Sequence, residues 1–556
     1  MELINFEDLL VLIGGWCRYQ KTLLVFFFIN CLFLAYSAYT PVLFLYTPDH
    51  FCSVDHIWNN LESQESPLDK EELINVLIPI DQSTGKKSKC FIYDIPINKL
   101  EVMALGNHST LQFDTIPCPN GWYYNTTGLF RSVITDMNWV CGDSWKGPFS
   151  QSMFSFGSLF GTIGLGYVAD AFGRLSAWYA ANILLMITGL VTPIMTDFVG
   201  FTCLRFLQGI SFDSFFSIFY VLALECVPSN KRALIGNLAL AIGMTVAGCY
   251  EPWALYFLQD WKILNTILYA QVAVIIIAPW FVFESVRWLS GQGRIDEAYE
   301  ELLKIAKVNG RKIDPGLESK IKHVLANTDK KSTTDKEKMN QPTLLDLMKT
   351  PNLRTNYIVM TTVFMLTLGL FDMNVRIIGN LEQSIYITFT ISSFLELPAD
   401  LLAIWGLDWI GRRWSAFISL FLSGIAMGIA SVVTTYPLVV LILTMVGRFF
   451  ATYALNTVFS FVMEIVPTVV RGQGVAVARF LAGLTIFSSP YVVFTGTIHK
   501  SIPYIIIGVL NIFSAFLVTL LPETTNRHLP DTLEDGKDFG KDQGFWLMPC
   551  LTKNRK

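Results

Sequence analysis

Charged residues are scarce in this sequence. Only 15% of its 556 residues are Asp, Glu, Lys or Arg, whereas 52% are hydrophobic and the mean hydropathy is +0.45. A soluble protein of this length needs more charge to keep its surface hydrated, and a disordered chain contains far fewer apolar residues. No basic patch marks a surface for DNA or RNA, so we expect no nucleic-acid partner. The composition predicts an integral membrane protein, with the lipid bilayer as a partner.

Several kinds of reactive site are also missing from the sequence. No G-x-x-x-x-G-K-[ST] stretch occurs, which argues against the phosphate-binding loop of an ATP-driven pump. None of the six histidines falls within a long apolar run, which removes the simplest metal site and a histidine proton relay. No catalytic constellation is visible. We therefore expect neither an enzyme nor a cofactor, and no metal site.

Twelve apolar stretches approach the roughly 20 residues that a membrane-spanning helix needs. These are spans 1 to 12, at 22–46, 148–169, 175–195, 198–226, 233–258, 263–283, 354–378, 384–407, 414–434, 437–463, 472–496 and 502–521. The region 148–283 thus holds spans 2 to 6, and 354–521 holds spans 7 to 12. The polar N-terminal stretch 1–21 contains three acidic residues and does not resemble a cleavable signal peptide.

The polar segment 47–147 has the features of an extracellular loop. It contains seven Lys and Arg against 13 Asp and Glu, and both Asn-x-Ser/Thr sequons of the chain fall within it. Even cysteine counts and sequons are typical of oxidising, glycosylating compartments. The alternative is a cytosolic domain with unused sequons. The predicted glycosylation and disulfide residues are Asn107, Asn125, Cys52, Cys90, Cys118 and Cys141, and three cysteine pairings are open.

The second polar segment, 284–353, has the opposite character. It has 13 Lys and Arg, no cysteine and no sequon, which is typical of a cytoplasmic loop. Apolar residues at helical spacing between Ile295 and Lys307 predict an amphipathic surface helix. Since six spans separate this segment from each terminus, 1–21 and the tail 522–556 are also expected to be cytoplasmic. The predicted protein is therefore a multi-pass protein of the plasma membrane.

The two halves of the chain repeat each other. Span 2 ends in a D-x-x-G-R turn that recurs after span 8, 238 positions later, and span 4 ends in E-x-x-P-x-x-x-R, which recurs after span 10 at an offset of 239. We expect these residues to form charged gates at the cytoplasmic helix ends, where glycine permits a tight turn. The predicted gating residues are Asp170, Gly173, Arg174, Glu225, Arg232, Asp408, Gly411, Arg412, Glu464 and Arg471.

With these repeats, the chain resembles a major facilitator superfamily transporter, and within it the organic cation/anion/carnitine transporter family. The family markers are the cysteine-bearing loop after span 1, R-F-L-Q-G at 205–209, E-S-V-R-W-L at 284–289, E-L-P-A at 396–399 and L-P-E-T at 521–524. The resemblance implies an all-α membrane protein with 12 transmembrane helices in two six-helix bundles. The sequence departs from the family pattern at Ala171, Leu175, Phe283 and Val286. Either these changes weaken the first-half gate or they have little effect.

Ionisable residues inside spans are expensive and therefore functional candidates. A position in span 11 that tends to be Asp in cation carriers and Arg in anion carriers is neutral here, at Gly483, while Asp213 lies in span 4 and Arg479 one turn from Gly483. We expect Asp213, with Glu396, to bind a positive group, and Arg479 to neutralise Asp213 or hold a carboxylate. A static Asp213–Arg479 ion pair is the alternative. The remaining candidates, by resemblance, are the cavity residues Phe216, Phe364, Phe371 and Asn456.

The sequence thus favours a plasma-membrane secondary transporter of small organic cations or zwitterions, amine or carnitine-like, working by alternating access. Its expected partner is a small organic solute. Two alternatives remain open, which are an organic anion transporter using Arg479 and Arg376, and a substrate sensor that binds without transport. Neither the substrate, the coupled ion nor the oligomeric state follows from the sequence.

Overall fold

The structure is a computed structural model of the whole chain. It describes all residues except 1–5, 63–68, 81–84, 96–113, 229–231, 233–235, 237, 331–342, 382, 526, 528, 531, 542 and 545–556. The predicted glycosylation site Asn107 lies outside the described residues. Asn125 is described and is exposed to solvent.

Twelve helices, numbered α1 to α12, coincide with the twelve predicted spans. They are α1 Arg18–Phe44, α2 Lys146–Phe172, α3 Arg174–Val191, α4 Phe198–Glu225, α5 Ala239–Leu258, α6 Trp261–Ala270, α7 Pro351–Arg376, α8 Ile385–Trp409, α9 Arg412–Val432, α10 Pro437–Ile465, α11 Arg471–Phe494 and α12 Ile502–Val518. The α6 helix continues as the 3₁₀ helix Gln271–Trp280. Among the described residues, ten of the twelve are long and apolar enough to cross a membrane, and α12 is a shorter apolar helix. The all-α membrane fold is confirmed, and a count of twelve crossings stays a prediction.

Helices α1 to α6 pack into one half and α7 to α12 into the other. The halves meet mainly where α5 packs on α8 and where α2 packs on α11, two contacts that the internal repeat makes equivalent. Within the first half α2 and α4 pack closely, because Gly157 and Gly161 of α2 and Gly209 of α4 leave no room for a side chain against the facing backbone. The glycine-rich stretch of α2 therefore serves helix packing.

The segment between α1 and α2 forms a small module of its own. Strand β1 (His50–Cys52) pairs antiparallel with β4 (Trp122–Tyr124), and β2 (Phe91–Tyr93) pairs antiparallel with β3 (Thr115–Pro117). Disulfides join Cys52 to Cys118 and Cys90 to Cys141, which is one of the three pairings that the sequence allows. We call the end of the helices that carries this module the loop side.

The central segment lies at the opposite end, which we call the segment side. Its helix Ile295–Val308 buries Ala298, Leu302, Ile305 and Ala306, so the predicted amphipathic helix is confirmed. Asn309 then ties this helix to the start of α1, because its Oδ1 accepts from the Tyr19 amide at 2.9 Å and its Nδ2 donates to the Ile13 carbonyl at 2.8 Å. The central helices therefore pack onto the first half.

Contacts between the halves concentrate on the loop side. The Tyr256 and Tyr386 rings lie 5.2 Å apart near the loop-side ends of α5 and α8. The Ser152 hydroxyl of α2 donates to the Phe487 carbonyl of α11 at 2.8 Å. At the segment side, the described ion pairs of the helix-end motifs stay within one half. The halves are thus closed together at the loop side, and we call this contact zone the loop-side seam.

Candidate functional site

The Asp213–Arg479 pair links the two halves near the middle of α4. Arg479 Nη2 of α11 lies 3.0 Å from Asp213 Oδ1 of α4, and the Thr162 hydroxyl of α2 donates to the other carboxylate oxygen at 3.5 Å. The Arg479 side chain is 41% exposed and Asp213 19% exposed. The structure therefore brings together the two unlike charges that the sequence singled out.

A second charge cluster is sealed within the protein. Glu396 of α8 forms an ion pair with Arg448 of α10, and the two side chains are only 6% and 1% exposed. The Tyr39 hydroxyl of α1 donates to both Glu396 oxygens, at 2.7 and 2.9 Å. The Arg448 guanidinium also lies 4.2 Å from the centre of the Phe371 ring and donates to the Phe371 carbonyl at 3.2 Å. Glu396 is therefore neutralised inside the second half, and Tyr39 carries the contact across.

The remaining polar candidates of the second half have local partners. Asn456 Nδ2 of α10 donates to Asp400 Oδ1 of α8 at 2.6 Å and to the Thr452 carbonyl at 3.1 Å. Asp372 and Arg376, four residues apart on α7, form an ion pair at 2.6 Å. A substrate carboxylate could bind Arg376 only after displacing Asp372.

The three predicted cavity aromatics have different surroundings. Phe216 is partly buried, with its ring 5.7 Å from Phe27 and 5.9 Å from Tyr220. Phe371 is also partly buried and covers Arg448. Phe364 is 2% exposed and belongs to the apolar core of the second half. In this conformation, Phe216 and Phe371 are more accessible to a solute than Phe364.

The first-half gating residues hold helix ends together. Arg174 pairs with Asp170, and Gly173, at a φ of 109°, makes the turn between α2 and α3. The Glu284 carboxylate accepts from the Leu175 amide at 3.1 Å, and burial raises the pKa of this carboxyl. Glu225 accepts from the Ser285 hydroxyl.

Arg232 completes this first-half set. Its Nη2 donates to Glu7 at 2.6 Å, and its Nε donates to the carbonyls of Leu224 and Val227 at 3.2 and 3.3 Å. The side chain therefore joins the N-terminal helix Phe6–Leu12 to the end of α4.

The second-half gating residues repeat this arrangement. Gly411, at a φ of 97°, makes the turn before α9, and Glu523 accepts from the Arg412 amide at 2.9 Å. The Arg412 side chain reaches Glu464 at 3.1 Å and Asp408 at 3.7 Å, and Glu464 accepts from the Thr524 hydroxyl. Arg471, the last member of the set, donates from its Nε to the Val466 carbonyl at 3.2 Å.

Sequence reasoning assigned no site role to several residues that the structure makes prominent. Glu523 and Thr524 follow Glu284 and Ser285 by 239 positions, the offset of the other repeats, and this offset was the available signal. Tyr39 carried no such signal, since one tyrosine among 20 is not distinctive. Glu251 was overlooked although it is the one acidic residue within span 5 at 233–258.

Comparison with known proteins agrees with this architecture. Residues 128–534 match the family described as sugar (and other) transporter. Organic cation transporter 1 of Caenorhabditis elegans is 28% identical over 97% of this chain and 89% of its own length. Organic cation/carnitine transporter 2 of Homo sapiens is 27% identical over 95% of this chain and 93% of its own length.

Solved structures show the same fold at lower identity. The inward-open conformation of the xylose transporter XylE from E. coli superposes with a TM-score of 0.60, covering 93% of this chain and 99% of that one at 15% identity. At this identity the likeness establishes the fold alone. With a family match over most of its length and the fold of a major facilitator transporter, the chain belongs to the sugar (and other) transporter family of the major facilitator superfamily, and along its full length it is similar to organic cation and carnitine transporters.

Proposed function

We propose that this protein is a plasma-membrane secondary transporter of small organic cations or zwitterions, amine or carnitine-like, and not an enzyme. The Asp213–Arg479 pair between the halves carries this proposal. The relatives named above for organic cations and carnitine support the substrate class. Alternating access requires a site that both halves share, and this pair is built from one side chain of each half.

The proposed orientation places the loop side outside the cell. The two disulfides belong in an oxidising compartment, and Asn125 is exposed for glycosylation on the same module. Because α1 starts at the end where the central segment lies, 1–21, 284–353 and 522–556 are then cytoplasmic. Closure of the loop-side seam makes this an inward-facing arrangement. Gel mobility tests the orientation. Asn125→Gln should migrate faster than wild type because it lacks one glycan, and enzymatic deglycosylation of both proteins should abolish this difference.

Asp213 is the better candidate for binding a positive group. Glu396 is already neutralised by a buried arginine, and its Tyr39 contact covers it further. The partner of Asp213, Arg479, is exposed enough to swing away when a substrate ammonium group takes its place. The Phe216 ring, on the same helix as Asp213, offers a face to the cation. A zwitterion would place its carboxylate against the freed Arg479.

No ATP is needed for such a cycle. A monovalent cation entering the cell gains about 2.3 kcal/mol per 100 mV of membrane potential. The gating residues at the segment side would come together across the halves only when the carrier faces outward. In the present arrangement each set stays within its own half, as the Arg174–Asp170 and Arg412–Glu464 pairs show.

Radiolabelled uptake in voltage-clamped oocytes tests the proposal. Tetraethylammonium, carnitine and an aromatic carboxylate are offered separately to wild type and Asp213→Asn, with surface expression measured for each. We expect inward current with amine or carnitine uptake, reduced at least about tenfold in Asp213→Asn. Glu297→Gln, which alters an exposed carboxylate of the central segment, is the matched control and should transport normally.

Other outcomes would contradict the proposal. Uptake of the carboxylate alone, lost on changing Arg479, would identify an anion transporter. Binding of a solute at the surface-expressed protein without uptake would identify a sensor. Unchanged amine uptake in a well-expressed Asp213→Asn protein would remove the binding role of Asp213 and leave a static ion pair.

A further inference from the structure

Glu251 is an unpaired carboxyl in the interior of α5. Its side chain is 0% exposed, and neither carboxyl oxygen has a hydrogen-bond partner among the described residues. The Thr40 hydroxyl of α1 lies beside it and can donate one hydrogen bond to the carboxyl, which leaves at least one carboxyl oxygen without a partner. An unpaired polar atom in an apolar interior is costly, so this oxygen requires a ligand.

No lysine or arginine among the described residues forms an ion pair with Glu251. The titratable side chains that interact with it are Tyr36 of α1 and Tyr269 of α6. The helices packed against α5 also carry Tyr39, Cys31 and Lys262, together with Tyr386, Glu396 and Asp400 of α8, and α5 itself carries Cys249, Tyr250 and Tyr256. Arg205 of α4 lies beyond Tyr269, and its guanidinium donates at 2.8 Å to the side-chain oxygens of Gln151 and Gln208. An ionised Glu251 in these surroundings would be an isolated buried charge, so the carboxyl must carry a proton here.

Glu251 lies close to the residues of α5 that contact α8 in the loop-side seam. Gly248, one turn earlier on α5, packs against Ser393 of α8 and the Tyr39 ring of α1. The next residue, Cys249, donates its thiol to the Thr390 carbonyl of α8 at 3.7 Å. Separation of α5 and α1 from α8 would therefore remove the layer between Glu251 and water.

The helix is also weakened at this point. Pro252 has no amide hydrogen, so the carbonyl of Gly248 lacks its normal partner within α5. A proline inside a helix is a site where bending costs little. Opening of the seam can thus expose Glu251 by a local change in α5.

We propose that Glu251 is a proton-binding site of the loop-side seam, protonated while the seam is closed and releasing its proton to extracellular water when the seam opens. The O–H bond of the carboxyl breaks, the carboxylate keeps the electron pair and the proton passes to water. This inference rests on the proposed function for its orientation. Its consequence is that extracellular acid favours the inward-facing arrangement and extracellular alkali favours the outward-facing one.

Infrared difference spectroscopy on the purified full-length protein tests the site without transport. Wild type minus Glu251→Gln at neutral pH should show the carbonyl stretch of one protonated carboxylic acid. Glutamine has nearly the same shape and resembles the neutral form, so this variant should fold. A carboxylate band in place of the acid band would overturn the proposal, whether or not the protein transports organic cations.

Initial uptake at fixed voltage and internal pH tests the link to the seam. As external pH rises, we expect wild-type uptake to increase by up to about tenfold per pH unit, the limit for one linked proton. Glu251→Gln should vary less than about twofold and stay at the acid level. Glu297→Gln, which neutralises an exposed carboxylate of the central segment far from α5, is the matched control and should keep the wild-type pH response.

Two results of this assay would overturn the linkage. One is a pH response that Glu251→Gln retains, since another group would then carry it. The other is uptake that follows external sodium and not pH, which would make a metal cation the ligand. If wild type moves none of the offered solutes, the proposed function fails, and the infrared result still decides whether Glu251 binds a proton.

Discussion

The two ion pairs of the membrane region should respond very differently to loss of their acidic partner. Changing Glu396 to Gln leaves Arg448 charged at 1% exposure, and breaking a buried pair in this way costs about 3–5 kcal/mol. Changing Asp213 to Asn leaves Arg479 at 41% exposure, and losing a pair whose partner is this exposed costs roughly 0.2–1 kcal/mol. The first variant should therefore lose stability, and the second should lose function.

Thermal unfolding of the purified proteins in one detergent measures this contrast. At about 2–4 °C per kcal/mol for a unit of 150–250 residues, Glu396→Gln should lower the Tm by roughly 6–20 °C. Asp213→Asn should lower it by no more than about 4 °C. Ligand-free protein must be compared, because bound substrate would stabilise only variants that still bind it.

A double variant guards against a protein that fails to fold. Glu396→Gln with Arg448→Met removes both charges, and replacing a whole buried pair is often close to neutral. It should therefore recover most of the stability that Glu396→Gln loses. If Asp213→Asn proves as destabilising as Glu396→Gln, the Asp213–Arg479 pair is structural and our reasoning about its binding role is refuted.

Three further predictions concern the ends of the helices and the loop. Burial raises the pKa of the Glu284 carboxyl, so its ionisation destabilises the folded protein. The Tm of wild type should therefore fall as the pH rises above 4.5, the ordinary pKa of a glutamate, and Glu284→Gln should show a smaller decline in Tm over the same pH range. Gly411→Ala should cost about 1–2 kcal/mol in thermal unfolding, because the φ of 97° disfavours a side chain, whereas Gly428→Ala, inside α9 with open space, should be neutral or slightly stabilising. Peptide mapping under non-reducing conditions should recover Cys52 joined to Cys118, and either of the other two pairings would contradict the structure.

The sequence predicted the helices better than it predicted their partners. Apolar runs of about 20 residues and the repeat at offsets of 238 and 239 depend only on local composition and order, so they located α1 to α12 but not the helix Glu318–Lys330 of the central segment. Pairing depends instead on which helix faces meet. Arg448 forms an ion pair with Glu396, and Tyr39 donates a hydrogen bond to the same carboxylate. Both contacts follow from the packing of α1, α8 and α10, and no spacing in the sequence predicts them.

The same distinction separates the candidate site into two parts. The internal repeat places equivalent carboxylates, Glu284 and Glu523, at equivalent turns in both halves, because duplication preserved local structure. Asp213 and Glu251 have no acidic counterpart in that pattern, because Thr452 and Pro490 stand 239 positions after them. An acidic residue within an apolar run is costly wherever it falls, so the count of such residues would have found Glu251. What the count could not supply is that Asp213 has a cation beside it and Glu251 does not.

The position of the ion pairs relative to the halves explains how binding and movement could be joined. The Glu396–Arg448 pair lies within the second half, so it survives any rocking of one half against the other. The Asp213–Arg479 pair is itself a link between the halves. A substrate cation that takes the place of Arg479 would satisfy Asp213 and break that link in one step. Occupation of the site would then lower the cost of separating α4 from α11, which is the condition for a carrier that moves when it is loaded.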